Sequence, residues 1–397
     1  MSRPSVFITF GTRPEAIKMA PVVLELRRRG ALDVFVCLTG QHREMLDQVV
    51  ETFSLPVDHD LRIMREKQTL GHITSAVLKG IDPLLQSVRP DLVLVHGDTT
   101  TTFAASLAAF YRMIPVGHVE AGLRTDDIYN PYPEEINRRL ADHLALIHYA
   151  PTPAAAAALR AEGISGDNLV VTGNTVIDAL FATAALPPAA FAPALAEALG
   201  RSGPKVLVTV HRRESWGVPM ERVARAIERV SEESPETTFI FPIHLNPVVR
   251  KTFREILGRM KQVVFCEPLP YLPFVHLMKA VDVVITDSGG LQEEAPSLGK
   301  PVLVMRDATE RPEGIAAGTA LLVGTHTETI ARELLSLLND RTAYDRMARA
   351  VNPYGDGRAA GRIADHLEFH FGLRDAPPEP FVAEAGGGAG REEAKVS

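Results

Sequence analysis

The sequence contains very little cysteine, with only Cys37 and Cys266 among its 397 residues. Two isolated cysteines cannot build a disulfide framework or a thiolate metal site, so we interpret both as buried, unreactive thiols. The sequence also has no excess of positive charge, because its formal net charge is −7. Nucleic acids and anionic membrane surfaces require a broad basic field, and we therefore predict neither as a partner.

Long hydrophobic runs and targeting segments are missing as well. The first residues enter a strand-like apolar run at once, without the pattern of a signal peptide, and we expect a cytoplasmic protein. One uncharged stretch, residues 179–196, is long enough to span a membrane. It is mostly alanine and is interrupted by Pro187, Pro188 and Pro193, so we predict helices and a connector there.

Several familiar catalytic motifs do not occur. No G-x-G-x-x-G segment follows the first strand-like run, and the sequence has no G-x-x-x-x-G-K-[ST] loop and no G-x-S-x-G elbow. These absences disfavour a nicotinamide enzyme, a P-loop NTPase and a serine hydrolase. We also predict no metal site.

The sequence does contain β-branched runs that alternate with segments of helical period, as in SVFITF and DLVLVHG. Such alternation predicts βα units and parallel sheets. The chain is too long for one ordinary core, and a second series of runs begins at KVLVTV, so we predict two doubly wound, Rossmann-like α/β domains. Their predicted bounds are 1–174 and 175–357, with a helix at 358–374 that returns to the first domain and a disordered tail at 375–397.

Polar segments follow the predicted strands in both halves. The first half has GTRPE, HGDTTTT and HVEAGLRT, and the second has VHRRES, PIHLNP and TDSGGLQEE. The carboxyl ends of parallel strands meet at one edge of a sheet, where ligands bind. Two such polar edges predict one shared cleft.

The first half contributes carboxylates to this predicted cleft. Asp98 and Glu120 each follow an apolar strand, where a partly desolvated carboxyl group can act as a general acid or base. Glu134 and Glu135 follow Pro133 and also fit the ordinary start of a helix, an explanation that is strong for Glu135.

The second half contributes a phosphate-binding pattern. Ser288, Gly289 and Gly290 separate a buried strand from a helix, where backbone N–H groups and the helix dipole attract anions, although the same tripeptide suits any tight turn. Cationic side chains at or just after strand ends add the positive charge that a diphosphate requires. They are Arg13, Lys18, His211, Arg212, Arg213, His244 and Arg311.

Segments along most of the chain resemble one enzyme family. They include FGTRPEAIKMAPV, VLVHGDTTTTFAASLAAF, IPVGHVEAGLRT, PEEINRRLADHL, TGNTVIDAL, HRRESWG, FPIHLNP, TDSGGLQEEAPSLGKPVLVMRDATERPE and NPYGDG. From about residue 6 to residue 371, the chain resembles the non-hydrolysing UDP-N-acetylglucosamine 2-epimerases. The resemblance implies a glycosyltransferase-B-type fold around a central cleft, a homodimer, and no cofactor or added metal.

The resemblance also implies a set of site residues. Asp98, Glu120 and Glu134 match the family's catalytic acids, and His211 would act with them by stabilising departing UDP. Phe274 would lie at the uracil pocket, and Glu294 would accept the ribose hydroxyls. The implied substrate-binding residues are Arg13, Lys18, Asp98, Glu120, His211, Leu269, Phe274, Ser288, Gly289, Gly290, Glu294 and Arg311.

Some members of this family have a second, regulatory UDP-N-acetylglucosamine site. Gln41, Glu134, Arg212 and His244 match its positions. Glu44 and Lys67 depart from the Gln and Arg of the regulated members, which weakens the expectation of regulation in this chain.

The implied reaction is the reversible conversion of UDP-N-acetylglucosamine to UDP-N-acetylmannosamine. UDP would be eliminated to give 2-acetamidoglucal and then added back, and the product would supply activated N-acetylmannosamine for cell-surface polysaccharides. The sequence leaves open which carboxylate serves which face of the sugar. Alternatives are a hydrolysing relative, an epimerase of a modified UDP-sugar, a glycosyltransferase of the same fold, and a non-catalytic nucleotide-sugar sensor.

Overall fold

A computed structural model of the chain describes residues 3–40, 43–65, 68–125, 127–188, 190–212 and 215–383. The chain separates into two units, of which the first comprises the residues up to Leu186 together with Tyr354–Phe381, and the second contains Pro187–Pro353. Within the described ranges, no helix is both long enough and apolar enough to cross a membrane.

The first unit is built on a parallel sheet. Over the described residues its strand order is β3-β2-β1-β4-β5-β6-β7. All of these strands except β3 were predicted from their apolar runs, and β3 has only two residues, too few to show a pattern. The strands are β1 (Ser5–Phe10), β2 (Asp33–Leu38), β3 (His59–Asp60), β4 (Leu92–His96), β5 (Val116–Val119), β6 (Ile147–Ala150) and β7 (Leu169–Val171).

Helices cover both faces of this sheet, as parallel strands require. Val93 and Val95 of β4, for example, pack in one buried cluster with Ile81 and Leu85. The helices of this part of the chain are α1 (Arg13–Arg29), α2 (Arg43–Phe53), α3 (Leu70–Val88), α4 (Thr100–Tyr111), α5 (Glu134–Leu144), α6 (Pro153–Ala161) and α7 (Thr175–Ala185).

The second unit repeats the plan with a parallel sheet of order β10-β9-β8-β11-β12-β13 among its described residues. Its strands are β8 (Lys205–Thr209), β9 (Thr238–Pro242), β10 (Val263–Cys266), β11 (Val283–Thr286), β12 (Val302–Val304) and β13 (Ala320–Leu322). Its helices are α8 (Pro193–Gly200), α9 (Val218–Glu233), α10 (Pro247–Leu257), α11 (Tyr271–Ala280), α12 (Gly289–Ser297), α13 (Pro312–Ala316), α14 (Thr327–Asn339) and α15 (Arg341–Ala348). The predicted pair of doubly wound α/β domains is confirmed.

The chain order reverses once in each sheet, at the strand that begins the unit. β1 lies between β2 and β4, and β8 lies between β9 and β11. In doubly wound sheets the crevice at this switch point is where ligands bind. The loops there are GTRPE and HGDTTTT in the first unit, and VHRRES and TDSGG in the second. The fold therefore places these four polar segments at the two switch points.

The boundary between the units differs from the sequence expectation of residue 174. Helix α7 packs against α1, and the side chain of Asn174 bonds to Glu120, so the first unit continues to Leu186. The last helix, α16 (Ala359–His370), also belongs to this unit and packs on α1 and α7. An ion pair of 2.7 Å between Arg29 and Asp365 supports this contact.

The disordered tail expected from residue 375 is not observed over residues 375–383, which the structure describes. Phe381 is buried, its N–H donates to the carbonyl of Val171 at 2.7 Å, and the guanidinium of Arg362 lies 5.5 Å from its ring centroid. A single aromatic residue in a Pro- and Glu-rich segment gives no periodicity, which is why the pattern missed it. Residues 384–397 lie outside the described ranges.

Candidate active site

A buried glutamate joins the two loops at the switch point of the first unit. Glu15 accepts the N–H of Gly11, after β1, at 2.9 Å and the hydroxyl of Thr99, after β4, at 2.6 Å. The loops approach closely because residue 11 has no side chain. A Cβ on Gly11 would lie 2.2 Å from Thr39 Oγ1 and 2.6 Å from Thr101 Oγ1. Glu15 and Gly11 therefore set the position of the Asp98 loop relative to the start of α1.

Asp98 lies two residues after the end of β4, on a turn that begins at Gly97 with a φ of 68°. Its Oδ2 accepts a hydrogen bond from the guanidinium of Arg138, and its backbone carbonyl accepts one from the side chain of Asn137 at 3.0 Å. Both partners lie on α5. Helix α5 therefore fixes the Asp98 loop through both its side chain and its backbone.

Glu120 directly follows β5 and lies in the left-handed region, with a φ of 65°. Its carboxylate forms an ion pair with Lys18 and accepts the side-chain N–H of Asn174 at 2.9 Å. A Cβ on Gly97 would lie 3.9 Å from Glu120 Oε1, so this carboxylate adjoins the Asp98 turn. His96 Nε2 lies 3.8 Å from Glu120 Oε2. The first unit thus brings Lys18 and two of the three predicted acids to one edge.

The electrostatic environment shifts the pKa values of two titrating groups near this edge, His96 and Glu134, in opposite directions. Burial, together with the positive charges of Lys18 and His118, lowers the pKa of His96 to about 3 despite the opposing charge of Glu120. Burial, reinforced by the charge of Asp98, raises the pKa of Glu134. The cluster therefore contains a neutral histidine and a carboxyl group that keeps its proton to higher pH than a free glutamate.

Glu135 is more than the ordinary helix starter that its position suggested. Its side chain is fully buried, accepts from Arg139 at 2.7 Å and from the N–H of Thr125 at 3.1 Å, and forms an ion pair with Arg138 at 3.3 Å. Arg138 is the same side chain that holds Asp98. Glu135 consequently orients the guanidinium that contacts the predicted acid.

A buried aspartate joins the two switch-point loops of the second unit. Asp287, after β11, accepts the backbone N–H groups of His211 at 2.9 Å and of Arg212 at 2.8 Å, after β8. Its Oδ1 also lies 2.9 Å from His211 Nδ1. Burial opposes ionisation, but the bonds from His211 and Arg212 outweigh it and lower the pKa of Asp287. The carboxylate thereby fixes the proton of His211 on Nδ1 and leaves Nε2 for a ligand.

The Ser288-Gly289-Gly290 turn lies beside this histidine loop. The N–H of Ser288 is already bonded to Thr286 Oγ1 at 2.9 Å, so the N–H groups that face outward are the first ones of α12. A Cβ on Gly289 would lie 3.6 Å from Arg212 Nη2. A helix N-terminus and a guanidinium therefore meet at this turn, as anion binding requires.

The other predicted nucleotide residues of the second unit surround α11 and α12. The hydroxyl of Tyr271 donates to Glu294 Oε2 at 3.3 Å, which orients this carboxylate. Phe274 is half-buried on α11, and Leu269 is half-buried in the segment before it. Arg311 forms an ion pair with the buried Glu293 and is thus placed before any ligand arrives.

The predicted site residues divide between the two units. Residues of the predicted regulatory site do so too, since Glu134 lies in the first unit and Arg212 and His244 lie in the second. The rings of His244 and His211 have centroids 6.1 Å apart. Gln41, Lys67, Arg213 and the side chain of Glu44 lie outside the described residues. In the first unit are Arg13, Lys18, Asp98, Glu120 and Glu134, and in the second are His211, Leu269, Phe274, Ser288, Gly289, Gly290, Glu294 and Arg311.

Sequence reasoning missed the residues that hold this site in place. Glu15 stands three residues after Thr12, the capping-box spacing, and this signal was present in the sequence. Asp287 precedes the Ser-Gly-Gly turn, but its partner loop comes from a strand 76 residues earlier. Arg138 and Asn174 carry no local signal for their contacts.

Comparison with known proteins agrees with these features. A family model described as UDP-N-acetylglucosamine 2-epimerase matches residues 24–368. The UDP-N-acetylglucosamine 2-epimerase of Bacillus subtilis (strain 168) is 49% identical over 384 residues, which are 97% of this chain and 100% of that protein. The enzyme of the same name from Escherichia coli (strain K12) is 50% identical over 370 residues, which are 91% of this chain and 98% of that protein.

A solved structure is similar over the same length. The crystal structure of UDP-GlcNAc 2-epimerase from Neisseria meningitidis bound to UDP-GlcNAc has a TM-score of 0.81 and 46% identity to this chain. The similarity covers 91% of this chain and 99% of that one. This chain therefore belongs to the UDP-N-acetylglucosamine 2-epimerase family and is an isomerase.

Proposed function

We propose that this chain interconverts UDP-N-acetylglucosamine and UDP-N-acetylmannosamine by eliminating UDP to 2-acetamidoglucal and adding it back. The observation that carries the proposal is the pair of complementary switch points. Asp98 and Glu120 stand at the first, and His211 stands beside the N-terminus of α12 at the second. The carboxylates of the first switch point would act on the sugar, and the positive groups of the second would bind the diphosphate.

Departure of UDP is the first requirement of this chemistry. The C2 proton of an N-acetyl sugar is barely acidic, so its direct removal would leave an unstabilised carbanion. Loss of UDP from C1 avoids that species but places negative charge on the leaving diphosphate. His211, Arg311 and the first N–H groups of α12 stabilise this charge as donors that are already oriented.

Proton transfer at C2 is the second requirement. One carboxylate removes the proton, and an acid on the opposite face of the ring returns one, which inverts C2. Asp98, Glu120 and Glu134 are the acids and bases, and Lys18 and Arg138 fix two of them in place. Exclusion of water from the site keeps the glucal and UDP together until UDP adds back.

The pH dependence follows from the environment of Glu134. Because its pKa is raised by burial and by Asp98, its carboxyl group remains protonated at pH values where a free glutamate is ionised. We expect Glu134 to be the proton donor, so kcat with UDP-N-acetylglucosamine declines as the pH rises through this raised pKa. In Glu134→Gln, kcat is lower and this decline is lost. An unchanged pH profile in the variant contradicts the assignment, and Glu51→Gln, at an exposed position, is the control.

Removal of diphosphate ligands weakens UDP binding. We expect His211→Ala and Arg13→Ala each to raise the Kd for UDP by about 10- to 100-fold, the effect of losing one charge-assisted hydrogen bond. Isothermal titration calorimetry with UDP measures this change. The exposed Arg254→Ala on α10 controls for the loss of a positive charge. If His211→Ala binds UDP with wild-type affinity, this histidine does not contact the diphosphate.

A homodimer in the cytoplasm is the expected form of the enzyme. Support for the dimer comes from apolar side chains on the packed helices α4 and α5, where Phe110, Ile136 and Leu140 are exposed. Support for the compartment comes from Cys37 and Cys266, which are both free thiols. Light scattering measures the mass in solution, and a monomer at micromolar concentration contradicts the dimer.

The reaction itself is tested by the products. Purified enzyme is incubated with UDP-N-acetylglucosamine, and the sugars and nucleotides are followed by NMR. The proposal predicts UDP-N-acetylmannosamine at equilibrium with substrate, with no accumulation of UDP or free sugar. Stoichiometric UDP and free N-acetylmannosamine would indicate a hydrolysing enzyme instead. The product then supplies activated N-acetylmannosamine for cell-surface polysaccharide synthesis.

A further inference from the structure

His118 is a fully buried histidine whose two ring nitrogens both meet oxygen atoms. Nδ1 lies 2.6 Å from Asp142 Oδ1, and Nε2 lies 2.7 Å from the carbonyl oxygen of Gly97. A carbonyl oxygen only accepts hydrogen bonds, so Nε2 must carry a proton. A neutral ring would then leave Nδ1 without a proton, and the proton between Nδ1 and Asp142 would have to belong to the carboxyl group.

The surroundings of Asp142 place that proton on the histidine. Asp142 Oδ2 lies 2.8 Å from the guanidinium of Arg124 and accepts the N–H of Gly122 at 3.3 Å. Burial opposes ionisation, but His118 and Arg124 outweigh it and lower the pKa of Asp142. Burial likewise opposes the imidazolium, and the attraction of Asp142, the bond to Gly97 and the charge of Asp98 raise the pKa of His118. An ionised carboxylate and a doubly protonated ring are therefore the consistent pair.

This pair contacts both loops that carry the predicted acids. Through Nε2 the ring holds the peptide that connects Gly97 to Asp98, after β4. Through Oδ2 the carboxylate holds the N–H of Gly122, two residues after Glu120. Both glycines have positive φ, 68° and 87°, so each loop makes a tight turn at the residue to which the pair is hydrogen-bonded.

We infer that His118 and Asp142 form a charged clamp that sets the separation of Asp98 and Glu120 for catalysis. His118 is a positioning residue, because it acts through the backbone of Gly97 rather than on the sugar. Its charge also contributes to keeping the neighbouring His96 neutral. The inference rests on the proposed function for its catalytic consequence, but the charge state of the ring does not depend on it.

Two other titratable or charged side chains, His148 and Arg124, lie next to the clamp. His148 of β6 lies beside the pair and bonds through Nε2 to the backbone carbonyl of Asp142 at 2.8 Å. Burial lowers the pKa of His148, so it adds no second charge. Arg124, which pairs with Asp142, also forms an ion pair with Glu162 at 2.7 Å, and this second ion pair fixes the position of its guanidinium.

Two substitutions at His118 separate its two bonds. Asparagine places an amide N–H near the position of Nδ1 and keeps the contact with Asp142, whereas glutamine places one near Nε2 and keeps the contact with Gly97. We expect His118→Asn to lower kcat by about 100-fold, since a displaced catalytic loop has effects of that size, and His118→Gln by about 10-fold. The KM for UDP-N-acetylglucosamine should change less than about threefold in both, because the groups that bind UDP are untouched.

The matched control is His366→Asn. His366 is equally buried and bonds through its two nitrogens to Tyr149 Oη at 3.1 Å and to the carbonyl of Asp167 at 3.2 Å. A purely structural role for His118 predicts that both substitutions lower the melting temperature and leave kcat as unaffected as in His366→Asn. That result would overturn the clamp.

The protonation state is measured without substrate on the wild-type protein. The chain is labelled with ring-15N histidine, and the His118 signals are assigned by their loss in His118→Gln. We expect both ring nitrogens to be protonated at neutral pH in the wild type, and one of them to be unprotonated at that pH in Asp142→Asn, which lacks the carboxylate that stabilises the charged ring. One unprotonated ring nitrogen near neutral pH in the wild type overturns the inference even if the variants fold poorly. A charged ring in a protein without epimerase activity would instead contradict only the proposed function.

Discussion

Asp98→Asn is expected to lower kcat for epimerisation by about 1,000-fold, the loss typical of removing a general acid or base. The substitution removes the charge of the carboxylate but keeps an oxygen that can accept the bond from Arg138. The loop should therefore keep its position, and the Kd for UDP should change little. Initial rates with UDP-N-acetylglucosamine, measured beside the Kd for UDP, separate the loss of chemistry from a loss of binding.

The exposed Asp167→Asn in the same unit is the control for the Asp98 substitution. It makes the same change of charge away from the switch point and should retain wild-type kcat. Normal turnover in Asp98→Asn would remove this carboxylate from the mechanism. A large rise in the Kd for UDP with little change in kcat would assign it to binding.

Glu120→Gln is expected to abolish turnover to a similar extent, about 1,000-fold, while UDP-N-acetylglucosamine still binds. The amide oxygen can still accept from Lys18 and Asn174, so the side chain keeps its place and loses its basicity. Calorimetry reports the binding, and NMR reports the rate of epimerisation. Binding without turnover distinguishes a catalytic carboxylate from a purely structural partner of Lys18.

Glu51→Gln, on the exposed side of α2, is the matched control for the Glu120 substitution. It should leave both binding and rate unchanged. A Glu120→Gln variant that turns over at the wild-type rate contradicts a role in proton transfer. If the variant also loses UDP binding, the carboxylate supports the architecture of the site instead.

The two parallel sheets could be predicted because their strands are buried on both faces and appear as continuous apolar runs. The strand-end loops followed from the same pattern, since parallel strands end at one edge. The domain boundary could not be placed as well, because the assignment of α7 depends on its packing against α1 and on the bond from Asn174 to Glu120. Neither contact has a local signature.

The histidines show most clearly where sequence reasoning ends. His96 and His118 both stand at strand ends and look alike in the sequence. In the fold, His96 has a pKa lowered to about 3 by burial and the nearby positive charges of Lys18 and His118, whereas His118 meets Asp142 from α5, 24 residues away in the chain. Opposite charge states follow from partners that only the tertiary structure brings together.

The carboxylates predicted from strand ends were found at one edge, but the groups that orient them were not predicted. Glu135 was expected to be an ordinary helix starter and is a fully buried partner of Arg138. Asp287 was part of a recognised turn, yet its bonds to the His211 loop depend on β8 and β11 lying side by side. Positioning residues are thus the part of the site least visible in a sequence.

We expect carboxylates of the first unit to exchange the C2 proton of UDP-N-acetylglucosamine, and groups of the second unit to bind its UDP. The exchange is measured by incubating the enzyme with UDP-N-acetylglucosamine in deuterated water and reading C2 by NMR. We expect deuterium at C2 of the UDP-N-acetylmannosamine formed, and no such label with Asp98→Asn or Glu120→Gln over the same time. Product that retains its original hydrogen at C2 would contradict it.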